Sequence, residues 1–121
     1  MRLFALRGAI SVDRNDAQDI LDATTALMNG IMEANALAPR DVVSCIFTAT
    51  NDLNAEFPAV AARAVGFESV PLLCAREIAV PRSLPRVIRV LIHYYADEAH
   101  EPKHVYLGEA SSLRADLQSA Q

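Results

Sequence analysis

Along residues 2 to 12, Phe4, Leu6, Ile10 and Val12 fall on one face with Gly8, while Leu3, Ala5, Arg7 and Ala9 fall on the other. A period of two predicts a strand with one bulky face turned toward a core. Arg7 stands among small side chains, so its face has room for something else to approach. The period then changes: Ile20, Leu21, Leu27, Met28 and Ile31 recur at helical spacing, which predicts a helix over about residues 16–35. Asn15, with Gln18 three residues on, is the expected N-cap, and Asp16, Asp19 and Asp22 suit the positive end of the helix dipole. Asn35 and Pro39 mark the exit.

A second strand is expected over 42–50, paired parallel to the first because a crossover helix separates them. Asn51 to Asn54 is turn chemistry, and Phe57 to Gly66 reads as a short helix with Pro58 in its first turn and Gly66 past its end. Further strands are expected at about 69–74, 86–95 and 103–107. The order β-α-β-α-β-β-β predicts an α/β (α+β) fold with a single mixed five-stranded sheet carrying its helices on one face. The opposite face is too apolar to be left wet, which predicts oligomerisation. Residues 1–121 are expected to form one domain, with 110–121 a polar, flexible tail bearing an amphipathic patch at Leu113 and Leu117.

Two of these strands conflict with a plain core pattern. Val70-Pro71-Leu72-Leu73-Cys74-Ala75-Arg76-Glu77 and Arg86-Val87-Ile88-Arg89-Val90-Leu91-Ile92-His93 are rich in branched side chains, yet each carries charges. An arginine in the middle of Val-Ile-Arg-Val-Leu-Ile stays protonated, so it needs an anion or several acceptors. Arg89 is therefore the first candidate for a ligand contact, and an ion pair with Glu77 is the structural alternative. In an extended strand Cys74 and Glu77 point to opposite faces, so for both to meet one ligand the chain must bend or end its strand between them.

Composition narrows the function classes. A chain of 121 residues that is 52% hydrophobic and 21% charged is expected to fold and to be soluble, with no apolar run long enough for a membrane span. The start lacks a secretory signal, and two cysteines, Cys45 and Cys74, make no disulfide framework, so a cytoplasmic location is expected. A net charge of −4 argues against nucleic acid as a partner. The glycines are isolated and form no phosphate loop, and Cys45, Cys74, His93, His100 and His104 lack metal-ligand spacing, so neither metal nor cofactor is expected. Cys74 is better read as a small strand hydrophobe than as a nucleophile. What remains is a set of fixed charges, Arg7, Arg63, Arg89 and Arg114, with Glu77, Cys74 and Tyr106 as hydrogen-bonding groups. Such a set points to electrostatic stabilisation of an anionic substrate or transition state.

Leu6-Arg7-Gly8-Ala9, Ala49-Thr50-Asn51-Asp52-Leu53, Phe57-Pro58-Ala59 with Arg63, Val70-Pro71 with Cys74 to Glu77, Ile88-Arg89-Val90, and His104-Val105-Tyr106-Leu107 before Leu113-Arg114 together resemble one family. It is the small, monofunctional trimeric chorismate mutases of the pseudo-α/β-barrel class, distinct from the all-helical class. The resemblance runs from residue 3 to about 116. It implies a cofactor-free rearrangement of chorismate to prephenate in a homotrimer with sites between subunits, serving phenylalanine and tyrosine biosynthesis. By this resemblance Arg89 would donate to the substrate's ether oxygen and a carboxylate, and Arg7 and Tyr106 would hold a carboxylate. Glu77 and Cys74 would engage the ring hydroxyl. Phe57, Leu72 and Leu73 would form apolar walls beside Ala59 and Leu113, with Arg63 and Arg114 near the mouth and the last dozen residues as a lid. Two departures stand out: Val60 replaces a common lysine, and Pro81-Arg82-Ser83-Leu84-Pro85 replaces a glycine-containing turn. Two other functions fit the same arginines, a non-catalytic trimeric carboxylate sensor and an imine-deaminase-type hydrolase of similar fold.

Overall fold

The structure is a computed structural model and describes residues 1–113; the expected tail beyond Leu113, with Arg114 and Leu117, lies outside the described residues. Five strands form one mixed sheet: β1 (Arg2–Ser11), β2 (Val42–Ala49), β3 (Leu72–Arg76), β4 (Val87–Ala96) and β5 (Val105–Leu107). Their spatial order is β3-β2-β4-β1-β5. Two helices, α1 (Ala17–Asn35) and α2 (Pro58–Ala62), lie in the connections.

The expected direct pairing of β1 with β2 is corrected. β4 lies between them and is antiparallel to both, so β1 and β2 run the same way without touching. The crossover argument gives direction, not adjacency. β4 lies at the centre of the sheet, and its core-facing side chains Ile88, Val90, Ile92 and Tyr94 are almost fully buried while Arg89 and Tyr95 on its other face are not. The N-cap is also shifted. Asp16, not Asn15, accepts from the Asp19 N–H at 3.0 Å. Asn15 instead accepts from the backbone N–H groups of Asn54 and Ala55, pinning the loop after β2. The second helix stops at Ala62 and runs into a wide π-type turn, Arg63–Phe67, in which Gly66 takes φ 112°. That value lies in the left-handed range where a side chain is strained.

The core sits between the helices and one face of the sheet. Leu6, Phe47, Ile88, Ile92 and Tyr94 from the strands meet Ile20, Leu27, Met28 and Ile31 from α1, all almost fully buried. Gly8 sets the spacing: a Cβ there would lie 2.8 Å from Ile31 Cδ1 and 3.2 Å from the Val105 carbonyl oxygen. The helix thus packs flush on β1 at the residue next to Arg7. Asn35, buried at the end of α1, accepts from the Lys103 N–H at 2.8 Å and donates to the Lys103 carbonyl at 2.9 Å, fixing the approach to β5. Among the described residues, no helix is long and apolar enough to cross a membrane.

Candidate active site

Strand alternation and register assemble the other face. Tyr106 pairs with Ala9, Ala9 with Arg89, Arg89 with Thr48 and Thr48 with Ala75, which makes one row across all five strands. The neighbouring row is Arg7, Leu91, Ile46 and Leu73. Arg7 and Arg89 are therefore diagonal neighbours on an antiparallel pair, with Cα atoms roughly 7–8 Å apart. The small residues beside Arg89 leave a hollow, while Leu91 and Ile46 give it an apolar floor. A second cluster, with Leu84, Tyr106 and Leu113 packed on Ala9, Val87 and Ala110, walls one end. The result is a cavity of about 840 Å³ lined by Arg7, Thr48, Arg89, Tyr106 and Leu113 among others.

Arg89 is held from behind. Its Nε lies 3.1 Å from Glu77 Oε2, and the Thr48 hydroxyl donates to that same oxygen at 2.6 Å. The Nε–H is buried but not aligned for a hydrogen bond, so it is left without an acceptor. The side chain as a whole is 42% exposed, so its outer N–H groups face open space. A charge half desolvated and incompletely satisfied favours an anion above all other ligands. The ion pair foreseen as the structural alternative for Arg89 is thus present, and it orients the guanidinium rather than filling its bonding capacity.

The start of β4 is fixed by a polar clamp. Asp52 accepts from the Arg86 N–H through both oxygens at 3.1 Å and from the Thr50 hydroxyl at 2.5 Å, while Thr50 Oγ1 accepts from the Val87 N–H at 3.0 Å. This holds Arg86 at φ 50°, three residues before Arg89. On the far side of the cavity the Arg7 N–H donates to His104 Nδ1 at 2.9 Å. Burial first, and the Arg7 charge second, hold the His104 imidazole below its ordinary pKa, which keeps it neutral and able to accept.

The remaining candidates lie elsewhere on the chain. β3 ends at Arg76, between Cys74 and Glu77 as required, yet the two stay on opposite sides. Glu77 meets Arg89, whereas Cys74 packs against the helix-side core and lines a second cavity of about 380 Å³ with Phe57, Pro58 and Arg76. Within one chain the two side chains therefore stand apart. Leu72 also faces the core, Leu73 is 61% exposed on the open face, Ala59 is buried and Arg63 is exposed. Thr48 escaped the sequence reading, and Asp52 and His104 entered it only as parts of the family motifs and as a turn and a rejected metal ligand, without these partners. A polar residue in a strand gains meaning only when its cross-strand neighbour is known. Among the described residues no group of three or more His, Cys, Asp and Glu side chains is placed to hold a metal ion.

Residues 3–117 match the family model for chorismate mutase type I. The chain belongs to the type I chorismate mutase family. It is 48% identical over 118 residues to the chorismate mutase AroH of Thermus thermophilus, covering 96% of this chain and 97% of that one. With the chorismate mutase AroH of Bacillus subtilis identity is 39% over 119 residues, covering 97% and 94%. The solved chorismate mutase from Clostridium thermocellum superposes with a TM-score of 0.88 at 45% identity, covering 91% of this chain and 99% of that one. The mixed sheet with its helices on one face is thus the chain fold of a type I chorismate mutase.

Proposed function

We propose that this chain converts chorismate to prephenate without a cofactor, as a cytoplasmic homotrimer in the route to phenylalanine and tyrosine. The observation that carries this reading is the pair of guanidiniums, Arg7 and Arg89, diagonal on one sheet face and lining one cavity, with Arg89 braced by Glu77. Chorismate carries two carboxylates. In its rearrangement one ether C–O bond breaks as one C–C bond forms, with no net proton transfer and with negative charge growing on the ether oxygen. Arg89 meets that oxygen and a carboxylate through its outer N–H groups, and Arg7 and Tyr106 hold a carboxylate. Glu77, fixed by Thr48, keeps the Arg89 fork oriented and accepts from the ring hydroxyl. These contacts confine the substrate near its attack geometry and set fixed positive charge where negative charge develops.

The trimer supplies what one protomer separates. Arg7, Arg89, Tyr106 and Leu113 belong to the open-face cavity, whereas Phe57 and Cys74 line the cavity at the β3 edge. A ring of three chains that sets the β3 edge of one against the open face of the next completes each site, with Ala59, Arg63, Leu72 and Leu73 near the join. The apolar side chains left exposed, Leu3, Leu73 and Tyr95 among them, support such a contact.

The test is the loss of chorismate's ultraviolet absorbance in buffer without metal or cofactor, beside Arg89→Ala. Turnover is expected from the parent chain, and a loss of about 10²–10³ in kcat from the variant. Near-normal turnover by Arg89→Ala would sink the role given to it. Binding without turnover by the parent chain would turn the reading toward a carboxylate sensor.

A further inference from the structure

The turn at Val80–Ser83 closes with the Ser83 N–H donating to the Val80 carbonyl at 3.2 Å and the Ser83 hydroxyl donating to the same oxygen at 2.7 Å. Pro81 takes the second position of this turn and Arg82 the third, at φ 69°. A proline followed by a left-handed residue is the type II arrangement, in which the third position belongs to glycine because any Cβ is disfavoured there. This chain places its bulkiest cation at that strained position instead. Arg82 lines the same cavity as Arg7 and Arg89 and is exposed there. Among the described residues it makes no hydrogen bond or ion pair with the protein. A backbone conformation that works against the side chain, at a cavity rim, in a loop stiffened by Pro81 and Pro85, points to a role for the side chain itself.

We propose that Arg82 is a further substrate-binding residue of this cavity, a cationic arm at its rim that draws in a dicarboxylate and pairs with one of its carboxylates. The inference rests on the function proposed above and extends it to a residue that the resemblance did not single out. Three guanidiniums, Arg7, Arg82 and Arg89, then line a cavity to which no carboxylate contributes among the described residues, with Glu77 paired to Arg89 behind it, on a chain whose net charge is −4. An exposed charge at a rim acts before the chemical step, and it is screened by salt over about 10 Å at 0.1 M ionic strength. Its signature is therefore in substrate capture, not in the rate of the bound complex.

Three variants separate charge from loop geometry. Arg82→Gly removes the charge and relieves the backbone, Arg82→Gln removes the charge and keeps the Cβ, and Arg82→Lys keeps the charge. At low salt, Gly and Gln are expected to raise KM about 3- to 10-fold with kcat changed less than about twofold, and to flatten the fall of kcat/KM with ionic strength. Lysine should restore at least half of the loss on a logarithmic scale. Arg82→Gly should in addition raise the thermal midpoint by about 1–3 °C at fixed protein concentration, the opposite direction to its effect on capture. Calorimetric binding of prephenate, used as a dicarboxylate probe, should weaken in Gly and Gln by the same factor as KM rises. Parent-like KM, salt slope and prephenate affinity in both variants would overturn the assignment while leaving chorismate turnover intact. If the parent chain failed to turn over chorismate but both variants still lost prephenate affinity, the proposed reaction would fall and the binding role of Arg82 would stand.

Discussion

On the helix side of the sheet, Leu6, Phe47, Ile88, Ile92 and Tyr94 are sealed under α1, and the one buried hydroxyl of α1, on Thr24, donates to the Ile20 carbonyl at 2.8 Å. On the other side the same five strands present Arg7, Arg89, Thr48 and Tyr106 around a hollow, beside Leu3, Leu73 and Tyr95 left about half exposed or more. The residues named on the first face are packed almost fully within the chain. On the second, the Arg89 Nε–H is buried without an acceptor, and apolar side chains stand open. Stability is concentrated on the first face and binding capacity on the second, because a group satisfied by its own chain has nothing left to offer a ligand.

The sharpest way to break that comparison is to damage each face and ask which property fails. Phe47→Ala removes a fully buried ring from the sealed face and is expected to cost about 3–5 kcal/mol of stability, read as a shift in urea midpoint. A loss under about 1 kcal/mol would mean that this face is not the core. Arg89→Lys on the open face should do the reverse. It should lower kcat about 10²-fold while leaving the thermal midpoint within a few degrees, since a point charge cannot reproduce the planar fork. Equal losses of stability and turnover would erase the distinction.

Smaller changes sharpen it. Thr48→Val keeps the shape and deletes only the hydroxyl that donates to Glu77, so a fall of about tenfold in kcat is expected, matching about 1–1.5 kcal/mol for one lost hydrogen bond. An unchanged kcat would show that Glu77 needs no brace. The two ends of the pH scale read the two faces separately. Burial pushes the Cys45 thiol up to about 12 on the sealed face. A raised pKa keeps the proton in the folded state while the unfolded chain loses it near the ordinary thiol value. Stability is therefore full below about pH 9 and should decline from there toward pH 12. His104, beside Arg7, is shifted the other way, its pKa lowered by burial and by the Arg7 charge. The unfolded chain takes up that proton first, so the stability that goes with a neutral, partly buried His104 is present above about pH 6.5 and lost as pH falls through the lowered value. A midpoint that rises on acidification from pH 7 would contradict that burial beside Arg7, and in His104→Phe the acid limb should flatten.

Much of this was legible in the residue order. The alternation of Phe4, Leu6, Ile10 and Val12 specified which face of β1 is buried, since a strand has only two faces and the period is two. Arg89 declared itself by being charged within an apolar run, and the order of motifs from Arg7 to Tyr106 pointed to the family. Both hold without knowing what lies across the sheet, because they depend on near neighbours in the chain.

What only the tertiary structure decided is adjacency. The insertion of β4 between β1 and β2 brings Arg89 beside Ala9 and Thr48, and no local pattern encodes that order. The same step turned Thr48 from an ordinary strand threonine into the brace for Glu77, and made His104 the acceptor for the Arg7 N–H across a separation of 97 residues. It also set Glu77 against Arg89 of the neighbouring segment and left Cys74 against the helix-side core. Local periodicity follows from the geometry of the backbone and is written in each segment. The contacts that make a site arise when segments far apart in sequence share one sheet, and those follow from how the whole chain buries its apolar faces at once.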